Sequence, residues 1–169
     1  MTYSIIGILA AIILLISNRD VLWNRQGRSL AQSEAKYRRF LMGVLGYYVT
    51  DALWGILEAW GLTALLYADT VVHFIAMAAA VMLWTQYVIS YLEGGTRFER
   101  LLRLTGRIFF AFQLVVIAVN FLLPIMFWFD ASGAYFAGPA RYMTLAVQIL
   151  MFLLTSAYTL RVTARTEGK

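Results

Sequence analysis

Apolar residues fall in this chain as long, nearly unbroken runs, and the polar residues gather between them. The runs cover about 3–17, 40–65, 70–92, 108–129 and 142–160. A helix needs about 20 residues, rising 1.5 Å each, to cross a hydrocarbon layer of about 30 Å. The last four runs fit that length, and the first lies at its short limit. A membrane-crossing β-strand would alternate apolar and polar positions, which these runs do not. The pattern predicts an all-α fold: a polytopic membrane helical bundle of about five transmembrane helices, forming a single integral membrane domain over 1–169.

The connections refine that drawing. "YAD" (67–69) leaves room only for a tight turn, so the second and third helices are expected to form an antiparallel hairpin. "EGG" (93–95) ends the third, because glycine is a poor helix former that accepts left-handed backbone angles. "DASGAYFAG" (130–138), followed by Pro139, reads as a turn region before the fifth helix. Pro124 falls inside the fourth run, where its missing backbone donor is expected to bend the helix near its end.

Composition agrees with a membrane protein. Of 169 residues 62% are hydrophobic and only 14% charged, against about 25% charged in soluble domains. The mean hydropathy is +0.72. No cysteine is present, which excludes disulfides and thiolate metal sites, and a lone His73 excludes multi-histidine clusters. No metal or cofactor is therefore expected. The apolar core at 5–16 has no Lys or Arg before it and several after it, the pattern of an uncleaved anchor rather than a secretion signal.

Charge placement sets an orientation. With five crossings, all of the 14 basic residues except Arg141 fall on one side: Arg19 to Arg39 in the first connection, Arg97 to Arg107 in the third, and Arg161 to Lys169 in the tail. Basic residues accumulate in short cytoplasmic loops, so the N-terminus is expected outside and the C-terminus in the cytoplasm of a bacterial inner membrane. If the first run lay along the surface, the N-terminus would be cytoplasmic instead. The net charge of +5 is thus a topology signal, and no reading element for nucleic acid accompanies it.

Against this background two acids stand out in "YYVTDALWGILEAWG" (47–61). Tyr47, Asp51, Trp54 and Glu58 are spaced by four, three and four, which puts them on one helix face. A central Asp facing lipid costs about 2.5–3.5 kcal/mol on insertion scales, so the face should turn to other helices or a water-filled cavity. The third run offers a matching stripe through Asp69, His73, Met77, Ala80 and Trp84. Its level makes Glu58–His73 the first expected contact, with Arg141 as another cation for Glu58, Asp69 or Asp130. Trp54 and Trp84, deeper than the interfacial Trp23 and Trp128, can shape an aromatic pocket. Asp51, Glu58, His73, Trp54, Trp84 and Arg141 are therefore the candidate ligand or gating residues, weighed against purely structural pairing. Gln113 with Asn120, and Thr144, Gln148, Met151, Thr155 and Tyr158, form interior-looking stripes of the kind that join helices. No nucleophile elbow, phosphate loop or zinc-protease helix appears, so no catalytic residue is assigned.

The segments "YRRFLMGVLGYYVTDALWGILEAWG", "LLYADTVVHFIAMAAAVMLWTQYVISYLEGG" and the stretch from "VVIAVNFLLPIMFWFDASGAYF" to "TSAYTL" carry a resemblance. Over about residues 37–166 the chain resembles the multi-span N-terminal region found upstream of bacterial diguanylate cyclase (GGDEF) and other signalling domains. That resemblance implies a sensory module passing an external or intramembrane cue to a cytoplasmic signalling domain, which these 169 residues do not contain. The expected partners are the lipid bilayer, a small ligand, and a second copy in a homodimer. Two alternatives stand beside it: a small-molecule transporter acting as a dimer, and a structural membrane subunit.

Overall fold

The structure, a computed structural model, describes residues 2–23, 32–92 and 96–167. Arg25, Arg28, Lys169 and the expected stop at 93–95 lie outside the described residues. In chain order come α1 (Thr2–Ser17), α2 (Arg19–Trp23), α3 (Gln32–Ala59), α4 (Thr63–Leu92), α5 (Arg97–Asn120), β1 (Phe127–Phe129), β2 (Tyr135–Ala137) and α6 (Pro139–Glu167). The helices α3, α4, α5 and α6 are long and apolar enough to cross a membrane, while α1 is apolar but shorter. The result is a polytopic membrane helical bundle carrying one small β-hairpin.

The long helices extend past the apolar runs at their charged ends. The α3 helix begins at Gln32 rather than near 40, and α5 at Arg97 rather than near 108. A run of apolar residues marks the stretch facing hydrocarbon, but hydrogen bonding continues the helix into water. Thr96 caps α5, its side chain accepting from the backbone N–H of Glu99 at 3.2 Å.

The α3–α4 turn is displaced from its expected place. "YAD" lies within α4, and the chain reverses at residues 60–62 instead. Gly61 takes a φ of +67°, its N–H bonds the Glu58 carbonyl at 3.0 Å, and Leu62 N–H bonds the Leu57 carbonyl at 3.1 Å. This paired closure of a helix end depends on a left-handed residue, which glycine supplies without steric cost.

Pro124 also sits elsewhere than expected, since α5 stops at Asn120 and the proline lies in the following loop. Asn120 is buried, and its side chain replaces the helix that would have continued. Its Oδ1 accepts from Met126 N–H at 2.7 Å and Phe127 N–H at 3.2 Å, and its Nδ2 donates to the Phe127 carbonyl at 3.0 Å. The expected turn region is thereby a hairpin, with Phe127 opposite Ala137 and Phe129 opposite Tyr135. Asp130 Oδ1 organises its tip, accepting from Ser132 N–H, Ser132 Oγ and Ala134 N–H within 2.9 Å. Those bonds, the Ser132 hydroxyl first, hold the exposed Asp130 carboxyl below its ordinary range.

Two clusters fill the interior. Ala78, Val81, Ile89, Leu102, Phe109 and Met151 join α4, α5 and α6. Phe74, Val116, Ile117, Met126 and Phe127 seal the bundle beneath the hairpin. The polar stripes of the fourth and fifth runs do turn inward: Gln113, Asn120, Thr144, Gln148 and Thr155 are all buried.

The α1 helix runs antiparallel to α3. Ser4 meets Gly55, Gly7 meets Tyr48 and Asp51, and Asn18 accepts a 2.8 Å bond from the Tyr37 hydroxyl. Glycines permit this approach, since a Cβ on Gly7 would lie 2.7 Å from Asp51 Oδ2. The bundle therefore has a hairpin end, carrying Ser4, Gly61, the β-hairpin and Arg141, and a basic end, carrying Arg19, Arg38, Arg39, Arg100 and Arg103.

Candidate functional site

At the hairpin end α3, α4, α6 and β2 line a half-open cavity of about 420 Å³. Asp51 and Trp54 enter from α3, Thr70, His73 and Phe74 from α4, Tyr135 from β2, and Arg141 from the first turns of α6. Helical spacing gathers the first five: 51 and 54 share a face of α3, as do 70, 73 and 74 on α4. The hairpin and the start of α6 then line its outer end through Tyr135 and Arg141.

His73 is fixed by α3 rather than by an acid. Its Nδ1 lies 3.1 Å from Thr50 Oγ1, and its ring is 4.7 Å from that of Tyr47. Thr50 donates its own hydroxyl proton to the Tyr47 carbonyl at 2.8 Å. Its oxygen is therefore left to accept from Nδ1–H, and in the neutral imidazole that tautomer leaves Nε2 as an acceptor.

Arg141 is held by Tyr135. Its Nη1 donates to the Tyr135 hydroxyl at 2.9 Å, and its guanidinium carbon lies 5.4 Å from the centre of the same ring. Trp54 meets Tyr135 edge-on, with centroids 6.1 Å apart. Burial pushes the Tyr135 phenol above its ordinary range, although Arg141 pulls the other way, so it stays protonated and able to donate. Asp51 lines the same space as Arg141, and among the described residues no hydrogen bond or ion pair joins them. An acid and a base facing one cavity unpaired can each bind a ligand group of opposite charge.

The sequence-derived candidates thus divide. Asp51, Trp54, His73 and Arg141 come together. Glu58 does not: it is exposed near the end of α3, about two turns beyond Thr50, the residue that faces His73. The expected Glu58–His73 contact fails because the chain reverses at Gly61, which pairs His73 with position 50 instead of 58. Trp84 lies deep on α4, donating from Nε1 to Thr155 Oγ1 at 3.0 Å beside Phe40 and Tyr87. Its role is to bind α4 to α6. Arg141 reaches none of Glu58, Asp69 or Asp130 within ion-pair distance among the described residues.

Two residues here were missed. Tyr135 was legible only through the hairpin, signalled by "FWF" (127–129) and "YF" (135–136) on either side of "DASGA". Thr50 was passed over beside the more conspicuous Asp51. Asp69, which belongs to the stripe expected on the third run, is buried with Oδ2 unpartnered. No family model, curated protein or solved structure matches this chain. The site must be read from its own chemistry. Among the described residues no cluster of His, Cys, Asp or Glu is arranged to hold a metal.

At the basic end a second polar cluster ties α5 to α6. Glu99, only 3% exposed, accepts from the Tyr158 hydroxyl at 2.8 Å, and that hydroxyl lies 3.3 Å from Thr96 Oγ1. One unbroken helix, α6, therefore runs from the cavity at Arg141 to this cluster at Tyr158.

Proposed function

We propose that the chain is a membrane sensory module that recognises a small ligand in the hairpin-end cavity. The observation that carries this reading is the pairing of Asp51 with Arg141 as walls of one cavity without a bond between them. Intramembrane ionisable groups are costly, and a ligand that contacts both would recover that cost. In this reading the hairpin end faces outward and the basic end the cytoplasm, as the charge asymmetry favours. The α1 helix crosses as a fifth span, because it lies along α3 from Gly55 to Tyr37 with Ile5, Leu9 and Ile12 facing outward.

Output is assigned to α6. A ligand drawing on Arg141 shifts the start of this helix, and the shift reaches the Glu99–Tyr158 cluster, provided the two positions of α6 differ in ligand affinity. In this reading a cytoplasmic signalling domain receives that shift, the arrangement that the sequence resemblance implies.

The test uses the purified full chain in nanodiscs and phosphoethanolamine, a small zwitterion with one amine and one anion, as the probe. Titration is expected to show binding that weakens about tenfold in Asp51→Asn and in Arg141→Gln, as loss of a charge-assisted bond implies. Sustained, saturable flux into liposomes, abolished by Asp51→Asn, would replace the sensor with a transporter. If both variants bind probe and behave as the parent does, the polar residues only assemble helices.

A further inference from the structure

A second space lies beyond the contact of His73 with Tyr47, whose rings are 4.7 Å apart. Toward the basic end the same three helices line a groove of about 270 Å³, with Tyr47 of α3, Met77 and Ala80 of α4, and Leu145, Gln148 and Phe152 of α6 among its walls. On α6 the positions 141, 145, 148 and 152 follow at helical spacing, so cavity and groove succeed one another along one face of that helix, and the two together are called the trench below. Its α6 wall is open to the surroundings, since Leu145 and Phe152 are exposed. In a bilayer that opening faces acyl chains.

One group in the groove lacks a partner. Gln148 is 4% exposed, and its Nε2 makes no hydrogen bond. A buried amide left unsatisfied is costly, and a ligand acceptor in the groove would complete it. From Arg141 to Gln148 the helix rises about 10 Å, from the polar mouth to the apolar depth. The trench therefore presents a cation and an acid at its mouth, a hydrogen-bonding amide below them, and hydrocarbon walls beyond.

We propose that the trench binds one zwitterionic phospholipid of the surrounding bilayer. Its phosphate lies at Arg141, its ammonium at Asp51, its ester carbonyl at Gln148, and one acyl chain along Met77, Ala80 and Phe152. This assignment rests on the cavity being the ligand site and names the class of ligand. Charge complementarity selects the occupant: a purely anionic head leaves Asp51 facing a like charge, and a head without phosphate leaves Arg141 unpaired.

Native mass spectrometry and thermal melting of the full chain, with phosphatidylethanolamine or phosphatidylglycerol added to detergent micelles, test the proposal. Phosphatidylethanolamine is expected to remain bound and raise the melting temperature, whereas phosphatidylglycerol binds about tenfold more weakly. Gln148→Leu and Leu145→Trp, the latter at an exposed wall position, are expected to weaken lipid retention similarly while leaving phosphoethanolamine binding at the mouth unchanged. Gln148→Leu removes the orphan amide, so the lipid-free variant should melt no lower than the parent. Head-group binding that depends on Asp51 and Arg141, with equal retention of both lipids and no effect of either groove variant, overturns the lipid proposal and leaves the cavity reading standing. Failure of both the lipid and the head group to bind overturns the proposal and removes this chemistry from the cavity.

Discussion

Single side chains decide where this bundle closes, and Glu99 shows it most directly. It is buried at the basic end, and Tyr158 supplies its short hydrogen bond. Tyr158→Phe should destabilise the protein by about 1–3 kcal/mol, the cost of leaving a buried acceptor unmet. Adding Glu99→Met to that variant should recover most of the loss, because an apolar replacement removes the unmet group altogether. Reversible unfolding in detergent, read as a double-mutant cycle, measures the coupling. Asp130 offers a test at the opposite end. Hydrogen bonds from Ser132 and Ala134 lower its folded pKa, so its contribution is complete above the ordinary carboxylate range and is lost as pH falls through the lowered value. Asp130→Asn should therefore flatten the acid limb of the melting temperature between about pH 5 and pH 3. Equal acid limbs in parent and variant would deny the hairpin tip that role.

Between elements, small residues matter more than large ones. The α1–α3 contact depends on Gly7, where a Cβ would meet Asp51 Oδ2 at 2.7 Å and the Tyr48 carbonyl at 3.3 Å. Gly7→Leu should cost about 1–3 kcal/mol as an overpacked interface and push Asp51 toward the cavity. Melting reports the first effect, and altered phosphoethanolamine affinity the second. A variant that melts and binds as the parent does would mean that α1 is not held against α3. How far such contacts were legible depends on their range. Continuous apolar runs disclosed α3 to α6, and the spacing of Asp51 with Trp54 correctly put both on one face. The Glu58–His73 pairing failed because register is set by where the chain reverses, and one left-handed glycine moved that point. Pro124 misled for a related reason: Asn120 ends α5 through bonds to Met126 and Phe127, a tertiary fact that helix propensity cannot contain. Tyr135 and Glu99 escaped because their partners lie on other elements.

For the whole molecule the charge pattern makes a definite prediction of which end meets the cytoplasm. Every described Lys or Arg except Arg141 lies toward the basic end, whereas the hairpin end presents Trp128 stacked on Phe136 at 5.6 Å, both exposed. Stacked aromatics suit a membrane–water interface on either side, so the expected orientation rests on the basic residues alone. The chain has no native cysteine, which allows single introduced thiols to be read without background. With a membrane-impermeant maleimide on intact cells, Ser132→Cys at the hairpin tip should label, and Thr105→Cys near the basic end should label only after lysis. An N-terminal epitope tag should be accessible from outside if α1 crosses beside α3, and shielded if α1 lies along the inner surface. Labelling of Thr105→Cys from outside would invert the bundle, turn the Asp51–Arg141 cavity toward the cytoplasm, and make any ligand bound there an intracellular one.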